Sequence, residues 1–473
     1  MAWRAGLCAG RQYRARVLVV LLGLAAGVLA SEVTLRLAGR SFRPHLRNRV
    51  YLAEPDPLLG WRNRRNFAGP YGGDEFLTRV TLNSEGRRDP PARPDRIQGW
   101  TAPGARNPVS HAARDTRGGL RVAVLGDSQA FGDGVEDDET FAALLDGPHV
   151  VVRNHAVPGY GTDQEMLLFE RDVRASAPDV VIVAVYLGND LRDNADSGTW
   201  QYPKPHFVRD ASDGLRLTGS PALRPPLVTP MIELFRALMR HSALLNTLAA
   251  RAAEPDVPAR RDRVWWESSG QPLAEIWAAT PDATSRASLE LTALLLRALV
   301  KQIADAGARP LVVLIPELGA VEIARDPSWQ RDLARRAIDW RRPQRQIIAA
   351  LCGAKDHGPS ARAATRLCDS PRDSRTDGAT CEPSALTTPR QRDGATLARQ
   401  PGPDIEASAT APPWRCKSAR GLIVIDALPG LARGERPYYP GWKHLTAEGH
   451  RILAGLLADE LGVDETAHDH SAR

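Results

Sequence analysis

The feature that most constrains this chain is a set of five short aliphatic runs, each closed by glycine, proline or a polar turn. They are Arg121–Gly126 (RVAVLG), His149–Val157 (HVVVRNHAV), Asp179–Leu187 (DVVIVAVYL), Ala308–Pro316 (ARPLVVLIP) and Gly421–Leu428 (GLIVIDAL). Their apolar residues follow one another without alternation. Such a run is a strand covered on both faces, so the set predicts a parallel sheet with helices above and below it. Helical segments fall between the runs. Thr162–Arg174 opens on a Thr162-x-x-Glu165 capping box. Ser285–Ala306 carries Leu289, Leu296, Leu299, Val300 and Ile303 at helical spacing and stops at Gly307. Thr446–Leu461 runs from a threonine cap to Gly462. This alternation predicts an α/β fold: a doubly wound three-layer sandwich around a five-stranded parallel sheet.

With 473 residues there is length for one large domain with additions. The net charge of +6 comes mostly from scattered arginines. No dense basic block interleaved with aromatics occurs, so nucleic acid is not an expected partner.

The amino terminus says more. Arg4, Arg11, Arg14 and Arg16 precede an apolar run from Val17 to Ala30, and Glu32 and Arg36 follow it. The uncharged stretch is shorter than the ~20 residues a bilayer core needs. Two readings stay open: a signal peptide cleaved near Val28 and Ala30, giving a secreted protein, or an anchor extended through Leu37, giving a single-pass inner-membrane protein. Both keep the basic side inside and export the rest.

The expected organisation is a signal anchor over 1–40, an extension and linker over 41–119, and a main domain over 120–465. Insertions at 191–284 and 353–419 interrupt that domain. The first holds an expected helix from Thr229–Pro230 to Arg251 and otherwise reads as a lid or substrate-side insertion. The second, rich in proline, serine, threonine and arginine, reads as poorly ordered. Cys352, Cys368, Cys381 and Cys416 all fall in this late region. An even set in an exported domain suggests two disulfides, and a nested pairing of Cys352 with Cys416 and Cys368 with Cys381 is one of three possible connectivities.

In open α/β sheets, ligands bind beyond the carboxyl ends of the strands. Those ends carry polar and glycine residues here. The first run closes on Gly126-Asp127-Ser128, a serine on a strand-to-helix turn. The second leads into Asn154-His155-Ala156-Val157-Pro158-Gly159, the third into Gly188-Asn189-Asp190, and the last into Trp442-Lys443-His444. Glycine at 159 lets a backbone N–H approach a substrate oxygen closely. His155 is a candidate pocket residue, and His450 reads as a surface residue. No metal-ligand spacing or phosphate loop stands out, so no metal or cofactor is expected.

In this order of blocks the chain resembles the SGNH hydrolases, also called GDSL lipases/esterases. The match is carried by Gly126-Asp127-Ser128, Gly159, Asn189 and His444, by the phrases VPGYGTDQ and LGNDLRDN, and by EPDPLLGW and NSEGRRD ahead of the domain. VPGYGTDQ and LGNDLRDN look like a bacterial, membrane-anchored branch of the family, and EPDPLLGW and NSEGRRD strengthen that match. The resemblance implies a flavodoxin-like sheet, Ser128 as nucleophile and His444 as base. It also implies an oxyanion hole from the Ser128 and Gly159 N–H groups and the Asn189 amide, with Asp127 and Asp190 in support. The implied activity is cleavage of an acyl ester, an O-acetyl group for instance, on an envelope glycan or lipid. O-acyl transfer to an envelope polysaccharide and non-catalytic glycan binding are the alternatives. Where the family carries an acid three residues before the histidine, this chain has Gly441. A backbone carbonyl or a distant acid, Asp426 or Glu435, would then have to orient the ring. Gln129 replaces the leucine of GDSL, a position with no expected catalytic part.

Overall fold

A computed structural model describes residues 2–38, 52–72, 75–91, 119–198, 202–210, 214–223, parts of 230–248, 277–278, 280–353, 415–417, 421–441 and 443–463. The Cys8 side chain, Trp265–Trp266, Cys368, Cys381, Trp442 and nearly all of the 92–118 linker and the 353–419 insertion lie outside the described residues. The chain forms two compact units. One comprises Met1–Tyr51, Gly72–Asp74 and Arg224–Arg261, and the other Leu52–Tyr71, Glu75–Leu223 and Asp262–Arg473.

The second unit begins with two hairpins, β1 (Ala53–Asp56) with β2 (Gly60–Asn63) and β3 (Ala68–Gly72) with β4 (Leu77–Thr81). The main strands follow: β5 (Leu120–Gly126), β6 (Val150–Asn154) and β7 (Val180–Tyr186). A further hairpin, β8 (His206–Arg209) with β9 (Leu215–Thr218), precedes β10 (Arg309–Ile315), β11 (Arg415–Lys417) and β12 (Ile423–Asp426). The sheet order is β6-β5-β7-β10-β12, all parallel, with β11 added antiparallel at the β12 edge. The five aliphatic runs are thus the five parallel strands.

Successive strand residues feed opposite layers, as continuous apolar runs require. Val122, Val124, Ile182 and Val313 pack with Phe141, Leu453 and Leu457 on one face. Ala123, Leu125, Val183 and Val312 pack with Met166, Leu296 and Leu299 on the other. Helix Ala447–Leu461 covers the first face. Thr446 Oγ1 caps its start at the Gly449 N–H, and Gly462 ends it with φ 69°. Helix Ala283–Asp305 covers the second, capped by Asp282 and stopped by Gly307 at φ 84°.

One local expectation is corrected. No capping box forms at Thr162. Gly161 is the cap of helix Thr162–Leu168, and its carbonyl takes the Gln164 and Glu165 N–H groups. Glu165 is instead buried, with neither carboxyl oxygen hydrogen-bonded among the described residues. The helix then widens into a π turn over Phe169–Val173, where Arg171 reaches Asp56 at 2.6 Å. The edge strand β11 carries no aliphatic run. It is held by pairing to β12 and by a disulfide between Cys416 and Cys352.

In the first unit, helix Ala2–Leu37 contains a stretch, Arg16–Leu37, long and apolar enough to be a membrane anchor or signal sequence.

Candidate active site

Numbering the parallel strands by sequence, their order is 2-1-3-4-5, and connections leave β5 toward β6 on one side and return past it to β7 on the other. In open α/β sheets ligands bind where that direction reverses, which here is at the carboxyl ends of β5 and β7. Gly126 ends β5 and is confined there. A Cβ would meet Ala130 Cβ at 2.5 Å and the Ala184 carbonyl at 3.1 Å. Asp127 then caps the short helix Ser128–Phe131 by accepting the Gln129 N–H at 2.8 Å. Its other oxygen lies 3.4 Å from Ser128 Oγ. Ser128 is held at the helix start, 2% exposed, and its Oγ stands 2.8 Å from His444 Nε2. These two residues are 316 apart in the chain.

The histidine is held by its neighbours' backbone. Lys443 adopts φ 57°, a conformation costing roughly 1–3 kcal/mol for a non-glycine residue. The Gln129 side chain clasps this turn from both sides of His444: Nε2 donates to the Lys443 carbonyl at 3.0 Å, and Oε1 accepts the Leu445 N–H at 3.0 Å. Tyr186 Oη adds a 3.3 Å bond to the same carbonyl. Gln129, expected to be incidental, is therefore the residue that couples the serine's helix to the histidine's loop. Nothing in the sequence marks it, because its partners lie 314 and 316 residues away.

The missing acid at Gly441 is not replaced by either expected candidate. Asp426 is ion-paired to Arg341 at 2.6 Å and caps Leu428, and Glu435 is exposed. Among the described residues, a carboxylate that comes near the ring is Asp133, whose Oδ2 lies 3.8 Å from His444 Nε2 and accepts the Tyr71 hydroxyl at 2.8 Å. It approaches the nitrogen that faces Ser128.

Gly159 follows β6. Val157-Pro158-Gly159-Tyr160 is a turn closed by the Tyr160 N–H on the Val157 carbonyl, with Gly159 at φ 82°. Proline then glycine at the centre is the signature of a type II turn, which demands positive φ at the second position. The Val157 N–H bonds the Gly126 carbonyl at 3.0 Å and ties this loop to the serine turn. The hairpin ahead of the domain braces it further. Trp61 Nε1 donates to the Pro158 carbonyl at 3.2 Å, and Asn63 Nδ2 donates to the Ala156 carbonyl at 3.0 Å. Arg88, fully buried, donates to the Phe131, Gly132 and Val135 carbonyls and so fixes the far end of the serine helix. The motifs EPDPLLGW and NSEGRRD thus belong to the scaffold of the site.

Asn189 follows β7 at the start of helix Asp190–Asp193, and its Nδ2 donates to Asp193 Oδ2 at 2.7 Å. Asp190 is buried and accepts the Tyr186 N–H at 2.8 Å. Burial, then the neighbouring Asp127 and Glu165 carboxyls, push Asp190 well above the usual carboxylate range. Glu165 is raised likewise, by burial and then by Asp127 and Asp163. Burial also pushes Asp163 up to about 6, with Lys204 Nζ at 2.9 Å opposing it. His155 is buried and held well below its ordinary value by burial, then by Arg87 and Arg153. His450, expected at the surface, is buried: its Nδ1 accepts the Phe141 N–H at 3.2 Å and its ring stacks on Phe141.

The structure thus brings Ser128 and His444 into contact and sets Gly159 and Asn189 on the tails of the two strands flanking β5. Among the described residues no group of three or more His, Cys, Asp or Glu side chains is arranged to hold a metal ion. Comparison with family models and with curated proteins found no match to this chain.

Proposed function

We propose that this chain is a membrane-anchored serine acylhydrolase of the SGNH type, cleaving an acyl ester through an acyl-serine intermediate. The observation that carries the reading is the 2.8 Å contact between Ser128 Oγ and His444 Nε2 at the topological switch point. With its other ring nitrogen protonated, His444 accepts the Ser128 proton at Nε2 as Oγ attacks the acyl carbonyl. The resulting oxyanion is taken up by the Ser128 and Gly159 N–H groups and by the Asn189 amide, which retains a second N–H beyond the one given to Asp193. His444 then returns the proton to the leaving alkoxide, and water repeats the sequence to free the serine. The Asp133 carboxylate, 3.8 Å from Nε2, favours the positive imidazolium that forms midway.

Address and chemistry agree. Arg4, Arg11, Arg14 and Arg16 on the amino side of Arg16–Leu37 favour an anchor with the remainder exported. The Cys352–Cys416 disulfide suits an oxidising compartment. An exported enzyme of this class meets acyl groups, O-acetyl esters among them, on envelope glycans or lipids. The test is steady release of p-nitrophenol from p-nitrophenyl acetate by the wild type and its loss in Ser128→Ala. Equal turnover by both proteins refutes the nucleophile. Acyl transfer to an added oligosaccharide, instead of to water, would reassign the reaction to O-acyl transfer. Glycan binding with no turnover would make the chain a binding protein.

A further inference from the structure

We infer that the described residues within 230–248 form a second membrane contact, lying in the lipid headgroup–acyl boundary beside the anchor. The inference rests on the anchor reading given above.

The segment belongs to the same compact unit as helix Ala2–Leu37. Its described residues are helical at 230, 231, 234, 238 and 241 and again at 243–245, 247 and 248, with a break at Ser242. Ser242 closes one piece by donating its N–H to the Leu238 carbonyl, and it caps the next by accepting the Leu245 N–H on its hydroxyl at 3.1 Å.

The break is where the segment is fastened. Glu32 of the anchor accepts the Ser242 hydroxyl at 2.9 Å and the Ala243 and Leu244 N–H groups at 2.8 Å each. Arg36, paired with Glu32 at 2.7 Å, donates to the His241 carbonyl at 2.6 Å. Glu32 and Arg36 are the first charges after the apolar run that starts at Val17. Both lie near the carboxyl end of the Arg16–Leu37 stretch, where a spanning helix approaches the headgroups. The segment is therefore pinned at that level.

What it exposes there is apolar. Met231, Leu234 and Leu238, at i, i+3 and i+7, share one helical stripe, and Leu245 and Leu248 repeat the three-residue step. All five are between 39% and 67% exposed. Outside the anchor, the described residues leave eight large apolar side chains exposed, and these five are the majority. An apolar stripe of this size next to a spanning helix suits a bilayer interface more than water. The sequence 230–251 also holds Arg236, Arg240 and Arg251 against one acid, Glu233, a balance suited to anionic lipid.

The test uses the full chain in nanodiscs of phosphatidylcholine and phosphatidylglycerol, with the photoreactive residue p-benzoylphenylalanine placed singly at 234, 238 or 245. Position 21 in the anchor and position 77, an exposed leucine of the other unit, are the references. Mass spectrometry of the irradiated protein should find lipid adducts at 234, 238 and 245 at a level comparable to 21 and well above 77. Adducts at 21 with 234, 238 and 245 at the level of 77 overturn the inference and leave the anchor standing. No adduct at 21 removes the anchor and the inference with it. Crosslinks from 234 or 238 to a second copy of the chain overturn it in favour of self-association.

Discussion

Replacing Gln129 by leucine removes the two bonds its side chain makes to the backbone on either side of His444, and leaves the exchange of the Lys443 N–H with the Tyr439 carbonyl and of the Tyr439 N–H with the His444 carbonyl. The Leu445 N–H loses its partner in a buried setting, which costs about 1–3 kcal/mol. The Lys443 carbonyl keeps the Tyr186 hydroxyl and loses only about 0.5–1.5 kcal/mol. The sum, roughly 2–4 kcal/mol, exceeds or matches the ~1–3 kcal/mol of strain stored in the left-handed Lys443. Without the clasp only the bonds to Tyr439 and Tyr186 oppose that strain, and the 2.8 Å approach of Nε2 to Ser128 is expected to loosen. A displacement near 1 Å at a reacting pair costs on the order of 10²-fold. In p-nitrophenyl acetate turnover, Gln129→Leu is therefore expected to lower kcat by about that factor while KM stays nearly constant, because no substrate contact is lost. Thermal unfolding should move down by about 3–6 °C. A lowered unfolding temperature with unchanged kcat would show that the clasp serves stability alone and would refute the positioning argument.

Other outcomes follow from the same geometry. Asn189→Ala should fold normally and lose about 10²–10³-fold in kcat, as expected for one oxyanion donor; circular dichroism and p-nitrophenyl ester turnover check both halves. Arg88→Met leaves the Phe131, Gly132 and Val135 carbonyls without that donor and should cost about 3 kcal/mol or more in urea unfolding. His450 is pushed down to about 3, first by burial and then by Arg88 and His444. Its folded pKa lies below its unfolded one, so it makes no demand above pH ~6.5 and costs stability as pH falls from there toward 3. At pH 5 the loss is about 2 kcal/mol, and it should be absent in His450→Gln. A wild-type-minus-variant difference that stays constant between pH 7 and pH 5 counts against this assignment.

The sequence by itself determined the sheet. Runs such as Val180–Tyr186 have no polar face to show to water, so they are stable only between two helical layers, and five of them in one chain leave little choice but a parallel core. It also singled out Ser128, Gly159, Asn189 and His444 as candidates, because turns at strand ends advertise themselves through glycine, proline and polar residues. Tertiary structure decided what was not local. The capping box at Thr162–Glu165 was a sound local pattern, but the strand end placed Glu165 in the interior, where burial outweighed the cap. His450 looked exposed on helical spacing until Phe141 covered it. Gln129 and Asp133 had no signal at all. Their part in the site depends on which backbone and ring the fold sets opposite them, more than 300 residues away. Periodicity reports the burial of a segment, whereas a hydrogen bond between distant segments exists only once the packing has brought them within 3 Å of each other.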